Sequence, residues 1–361
     1  MKKRVTGSLF CFNTSNDLLY NNYVFAIANS LSSNYKKIEI KRYMEKLTMK
    51  IRKKKRQMTA DELLKLYKRR YRVTLIILAV FIILTAFYIF LNYDYLAFKH
   101  FITSTYLYTD TLDEVFRKEL GQDVNGRYYS NFDNMVISVV TKRISSEKGD
   151  RYTYLYTPVR LEEENRQEKE EAAESEIRVL DDKTLYLRLT NFSKYTLDFM
   201  KKNQDMLRNR SIIIIDLQNN RGGDIEVMVD ISGMFLPRKS VVAMDKFRWW
   251  NYVYRSGKKQ PLKYDKIIIL QNNYTASASE NMIAALNDNL DNVELIGSKT
   301  FGKGIGQFTL PLKRGYAVKA TILEWYTPKG INIHGNGIEP DIEYSGDDIL
   351  QFALERVNGN N

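Results

Sequence analysis

The chain has 361 residues, room for two or three small domains, and carries 55 Lys/Arg against 43 Asp/Glu, a formal charge of +12. A single cysteine, Cys11, excludes an intrachain disulfide framework and a cysteine-rich zinc site, and two histidines, His100 and His334, argue against a histidine-based metal centre. Residues 1–72 hold +14 of the charge and residues 73–361 hold −2, so the basicity that would suggest a nucleic-acid binder belongs to the N-terminal arm alone.

Residues 1–72 read as a basic cytoplasmic arm, a solvated tail facing membrane lipid, with no nucleic-acid partner inferred. Within it Thr59-Ala60-Asp61-Glu62 fits a capping box, which predicts a helix starting there and running into the next segment. Val73 to Leu91 is 19 residues without a charge, long enough to cross a hydrocarbon core of ~30 Å as a transmembrane helix. The alternative, a buried core helix, fits poorly with an apolar surface on every side. Arg52–Arg56 and Lys68, Arg69, Arg70 and Arg72 lie on its N-terminal side, which predicts a cytoplasmic N-terminus and an extracytoplasmic C-terminal domain in the cell membrane. No small-residue cleavage site follows, so the segment reads as an uncleaved, single-pass signal anchor.

Residues 92–160 form a helical and then β-like N-terminal region. Residues 161–177 are an acidic helix or linker, with 8 Glu against 2 basic residues between Leu161 and Glu176. From 178 to 361 the pattern is α/β. Strands are predicted at Thr184–Leu189, Ser211–Leu217, Lys266–Leu270 and Val293–Ile296, with helices near 194–207, 224–235 and 279–289 between them. Phe308–Leu312 and Ala317–Tyr326 form a β pair around Lys313-Arg314-Gly315.

Three blocks carry chemistry. Thr275-Ala276-Ser277-Ala278-Ser279-Glu280 follows an apolar strand and precedes a helix, where backbone N–H groups and the helix dipole face developing negative charge. Thr275, Ser277 and Ser279 are each chemically able to act as a nucleophile, and Ser277-x-x-Glu280 equally reads as a plain capping box. Thr300-Phe301-Gly302-Lys303-Gly304, with Gln307, supplies a lone lysine among glycines and apolar residues. Such a lysine is a general base if burial lowers its pKa by several units from ~10.4. Gly297 to Lys303 also fits the start of a phosphate-binding loop, but Gly304 replaces the Ser/Thr and the following residues read as a strand. Asp216-Leu217-Gln218-Asn219-Asn220-Arg221-Gly222-Gly223 places paired glycines after a buried strand, where N–H groups can turn inward.

Together these blocks resemble the S41 family of serine peptidases, the C-terminal processing or tail-specific proteases. The ending Thr327 to Asp341 resembles that family's T-P-x-G-x-x-I-x-G-x-G-I-x-P-D, and Tyr108 to Asp113 is similar to the start of its N-terminal helical segment. The resemblance implies a ClpP/crotonase-like core over residues 178–361, with Ser277 as nucleophile, Lys303 as general base and Gln307 orienting the lysine. It further implies an oxyanion hole from the backbone of Gly222, Gly223 and Ala278, and no metal or other cofactor. Gln218 and Arg221 depart from the pattern. A PDZ domain, often inserted in the family, needs roughly 80–90 residues, more than the stretch between Pro158 and Arg178 holds. The expected function is a membrane-anchored serine endopeptidase acting on exported or membrane proteins. The rival expectation is a catalytically silent, membrane-tethered peptide- or protein-binding scaffold. Asp288 reads as a support or as a surface turn residue, and His334 as a packed turn residue.

Overall fold

The structure, a computed structural model, describes residues 58–120, 134–257 and 262–359, with a few helical residues between 42 and 53. Cys11 and most of the basic arm lie outside the described residues. The chain divides into two compact units, Met1–Tyr88 and Ile89–Asn361. A helix over Ala60–Leu91 begins at the expected box: the Thr59 N–H donates to Glu62 Oε2 at 2.9 Å and the Glu62 N–H donates to Thr59 Oγ1 at 3.3 Å. Its most apolar 18-residue stretch has a mean hydropathy of 2.9 and is entirely exposed, so it is long and apolar enough to cross a membrane.

The second unit is mixed α/β and contains two sheets. In chain order the strands are β1 (Tyr154–Tyr156), β2 (Glu176–Val179), β3 (Thr184–Arg188), β4 (Ile212–Asp216), β5 (Val241–Phe247), β6 (Asn251–Arg255), β7 (Lys266–Gln271), β8 (Val293–Gly297), β9 (Ile305–Pro311), β10 (Ala317–Tyr326) and β11 (Ile342–Glu343). One sheet runs β11-β8-β7-β4-β3-β2, parallel except for the antiparallel β2–β3 pair. Both of its faces are covered, which is why its strands read as unbroken aliphatic runs. Ile213, Ile215, Ile267 and Ile269 face a core shared with the helices Ile225–Ser232 and Ala278–Asn289. Ile214, Ile268 and Leu270, one residue out of step, face the C-terminal helix Ile349–Val357.

The second sheet holds β1, β5, β6, β9 and β10, with β10 as its spine. Helices over Tyr93–Thr105, Leu112–Leu120 and Asn134–Lys148 bury Phe98, Ile102, Phe116 and Ile144 against Val318 and Ala320 of β10. The acidic stretch is a helix, Pro158–Ala173, opened by a Thr157 cap with proline at its first position. Its Glu168 carbonyl accepts from Asn191 Nδ2 at 2.7 Å, tying it to the loop after β3.

Candidate active site

β4 and β7 are parallel neighbours in register, Asp216 beside Leu270, so the loops that follow them leave the same end of the sheet. Ligands gather at the carboxyl ends of parallel strands for this reason. Hydrogen bonds zip the two loops together. The Asn220 carbonyl accepts from the Ala276 N–H at 2.9 Å and from Ser279 Oγ at 3.0 Å, and the Leu217 carbonyl accepts from Thr275 Oγ1 at 2.8 Å. Thr275 and Ser279 are fully buried, and their hydroxyls are spent on main-chain carbonyls. Of the three hydroxyl residues in the block, these two hold the loop.

Ser277 stands at φ 59°, ψ −118°, in the left-handed region, at the head of the helix Ala278–Asn289. A residue with a Cβ is strained there by about 1–3 kcal/mol. Gly222 lies directly against it: a Cβ on Gly222 would meet the Ala276 carbonyl at 2.8 Å, the Ala278 nitrogen at 2.8 Å and Ser277 Cβ at 2.9 Å. Gly223 bridges to Phe192 through the Gly222 carbonyl and the Asp224 N–H, which leaves its own N–H outside that pairing. Ala278 is the first residue of its helix, so its N–H has no carbonyl one turn earlier. The Gly222 N–H, by contrast, donates to Asn220 Oδ1 at 2.9 Å.

Glu280 joins the serine block to the lysine block. It is fully buried, and Oε2 accepts from the N–H groups of Ser277 at 2.7 Å and Lys303 at 2.9 Å. Oε1 accepts from Thr300 Oγ1 at 2.6 Å and the Gly302 N–H at 2.7 Å. Burial raises its pKa, and these four donors oppose that rise by stabilising the carboxylate. The capping box anticipated at Ser277 is therefore half of a larger arrangement. The sequence pattern marks Glu280 only as a cap; that the same oxygen also holds Lys303 has no local signature.

Lys303 is half-buried, with Nζ 4.7 Å from the centroid of the Tyr152 ring. Its pKa falls from 10.5 to about 8, chiefly through desolvation and then through repulsion by Lys319; Glu280 and Asp150 partly offset this and Arg151 adds to it. It forms no ion pair among the described residues. Its backbone is held from both sides, since the carbonyl accepts from Trp325 Nε1 at 2.7 Å.

Gln307, on β9, donates to Thr321 Oγ1 at 3.4 Å, and Thr321 Oγ1 donates to Asp150 Oδ1 at 3.1 Å. Asp150 also accepts from Thr153 Oγ1 at 2.6 Å and Tyr106 OH at 3.2 Å, so Gln307 borders a buried polar cluster one residue away from Tyr152. None of Tyr106, Asp150 and Tyr152 is flagged by any motif in the sequence. Asp288 is taken up by Lys329, whose N–H reaches Asp288 Oδ2 at 3.1 Å and whose Nζ reaches Oδ1 at 3.2 Å. His334 is exposed beside Gly304, with its N–H on Asn332 Oδ1 at 2.9 Å. The phosphate-loop alternative fails because Ile305–Pro311 is a strand where a helix would be required.

Residues 183–344 match peptidase family S41. This stretch, under half of the chain, is similar to peptidase family S41. It is 38% identical over 157 residues to a probable CtpA-like serine protease of Staphylococcus haemolyticus (strain JCSC1435), covering 43% of this chain and 31% of that protein. It is also 38% identical over 145 residues to a probable CtpA-like serine protease of Staphylococcus aureus (strain N315), covering 40% of this chain and 28% of that one. The chain thus spans under a third of the length of these relatives. Among solved structures it resembles a lipoprotein from Streptococcus agalactiae at a TM-score of 0.57 and 19% identity, over 71% of this chain and 91% of that one, a likeness of fold. The S41 stretch takes in Gly222, Gly223, Ser277, Ala278, Lys303 and Gln307, and leaves out Asp150, Arg151 and Tyr152.

Proposed function

We propose that this protein is a membrane-anchored serine endopeptidase that cleaves exported or membrane proteins through a Ser277–Lys303 pair and an acyl-enzyme. The observation that carries the reading is the sharing of one Glu280 oxygen by the backbones of Ser277 and Lys303. It binds the hydroxyl block to the lysine block through two main-chain N–H groups that meet on one buried side-chain oxygen. In this reading neutral Lys303 takes the Ser277 proton as Oγ attacks the peptide carbonyl, and the resulting ammonium returns it to the leaving amine. Water then attacks the ester, with Lys303 again as base. The Gly223 and Ala278 N–H groups hold the oxyanion. Gly222, its N–H engaged by Asn220, serves by its missing Cβ. Gln307 acts on Lys303 through the Thr321–Asp150 cluster.

The exposed apolar helix ending at Leu91 supports the anchor, and the basic residues before it support a cytoplasmic N-terminus. The rival reading, a silent peptide-binding scaffold, draws on Gln218 and Arg221, but both leave the Ser277–Glu280–Lys303 bonds untouched. Labelling of the full-length protein by a fluorophosphonate probe tests the choice. Wild type should be labelled and Ser277→Ala should not; equal labelling of the two, or none of either, sinks the nucleophile assignment.

A further inference from the structure

Arg151, one of the cations around Lys303, is exposed and lies against two aromatic rings. The turn that carries it is pinned by its neighbour: Asp150 is buried, and its carboxylate accepts from Tyr106, Thr153, Thr321 and the Tyr152 N–H. That carboxylate is taken up by these donors and makes no ion pair with the guanidinium. Arg151 projects outward and is exposed. Its guanidinium carbon lies 5.2 Å from the Phe301 ring centroid and 5.1 Å from that of Tyr152, and Nη2 donates to Tyr152 OH at 2.9 Å. It forms no ion pair among the described residues, and most of its five N–H donors are open. An arginine steadied on aromatic faces loses little further freedom when its planar fork meets a carboxylate.

Its position relative to the site follows from the shared ring. Tyr152 carries Arg151 at 5.1 Å and Lys303 Nζ at 4.7 Å from one centroid, so the two cations are separated by no more than about three residues of extended chain at ~3.3 Å each. Phe301, the second ring, is two residues before Lys303. Lys319 adds a second positive charge nearby, which Lys303 feels as repulsion.

We propose that Arg151 anchors a carboxylate of the bound peptide within about three residues of the scissile bond. This rests on the peptidase reading above and supplies it with a substrate class: peptides bearing an acidic side chain, or the free chain end, close to the cut. Peptides with Lys or Arg at that place are disfavoured by the same field. The determinant lies outside residues 183–344, in the segment preceding the S41 stretch.

The test uses the full-length Ser277→Ala protein in detergent and fluorescent, unstructured twelve-residue peptides read by anisotropy. One peptide carries a single Asp with an amidated end, a second carries Asn and a free carboxyl end, and a third carries Asn and an amidated end. The expected result is about tenfold tighter binding of an acid-bearing peptide than of the neutral one, the scale of one charge-assisted pair. The first two arms tell side chain from chain end. The preference should vanish when Arg151→Ala is added, and Arg151→Glu should favour a Lys-bearing peptide. Equal binding of acidic and neutral peptides, or a preference that survives Arg151→Ala, overturns the proposal. With Ser277 restored the same ratio should reappear in kcat/KM. Binding preference without cleavage of any peptide would leave the anchor standing and remove the peptidase reading instead.

Discussion

Ser277 and Lys303 donate their backbone N–H groups to the same atom, Glu280 Oε2, at 2.7 and 2.9 Å. A fully buried carboxylate is costly unless it is satisfied, and here both oxygens are, by four donors drawn from the head of one helix and from the loop between β8 and β9. The cost of burying the charge is thus offset only when the two segments meet in one geometry. Folding of the parallel sheet delivers the serine loop, the loop after β8 delivers the lysine, and Glu280 sets the register between them.

Activity should follow the ionisation of Lys303. With its pKa lowered to about 8, the free base is scarce at pH 6 and dominant at pH 9. We therefore expect kcat/KM to rise with pH along a one-proton limb centred near 8, and to be lost in Lys303→Met. Below pH 8 both folded and unfolded chains hold the proton and the folded state bears the penalty of a partly desolvated ammonium; between about 8 and 10.5 the unfolded chain binds more protons, so stability rises with pH. At pH 7 Lys303→Met should be more stable than wild type, by up to about 3 kcal/mol for a shift of this size. Urea titrations at pH 7 and the pH–rate profile check both halves; a limb at pH 6 or below would contradict the assignment.

The backbone of Ser277 gives a second test. At φ 59°, ψ −118° a Cβ is unwelcome, and glycine is not. Ser277→Gly and Ser277→Ala should both lack peptidase activity, while the glycine variant should be the more stable of the two by about 1 kcal/mol. Thermal unfolding of the pair decides it. A glycine variant less stable than the alanine variant would mean that the strain is not there.

Much of the fold is legible in the sequence, for an identifiable reason. β3, β4, β7 and β8 are covered on both faces, so Leu185–Leu187, Ile212–Ile215 and Ile267–Leu270 form unbroken apolar runs bounded by turn residues. The β5–β6 hairpin is not legible: its outer strand is exposed through Tyr252 and Val253 and its tip is Arg248-Trp249-Trp250, so neither alternation nor a Gly-Asn turn marks it. The helix Ile349–Val357 is likewise not legible, being short and fixed by the face it lays on Ile214 and Ile268. At the site, the hydroxyl and lysine blocks are visible as motifs. Which hydroxyl is unspent is a matter of partners, Leu217 for Thr275 and Asn220 for Ser279, supplied from sixty residues upstream in round terms, beyond any local pattern. Tyr152 and Arg151 reach the lysine only because β1 pairs with β10, a contact no periodicity predicts.

Glu280→Gln separates a cap from a bridge. An exposed capping residue would cost about 1 kcal/mol or less. Glutamine here keeps one acceptor oxygen and turns an NH2 group toward two N–H or hydroxyl donors, leaving buried donors unmatched at ~1–3 kcal/mol each. We expect a loss of at least about 2 kcal/mol and a fall in kcat far larger than any change in KM. A loss confined to the small cap value, with activity retained, would show that the serine and lysine loops hold their register without it.

Topology decides which proteins can be substrates. The rule counts Lys and Arg close to the span, and Lys65, Lys68, Arg69, Arg70 and Arg72 all precede the uncharged stretch 73–91, whereas Lys99 is the first Lys or Arg after it. The N-terminus should therefore stay in the cytoplasm and Ser277 should lie across the membrane, where only exported or membrane-bound proteins reach it. Ser146 is exposed near the end of the helix Asn134–Lys148 and makes a suitable reporter. With Cys11→Ser removing the only native thiol, Ser146→Cys should be labelled by a membrane-impermeant maleimide in intact cells, or in spheroplasts where an outer membrane intervenes. Lys68, Arg69, Arg70 and Arg72 changed together to Gln should weaken that orientation and lower the labelled fraction. Labelling only after the inner membrane is broken would put the peptidase domain in the cytoplasm and transfer its substrates to the cytoplasmic proteins.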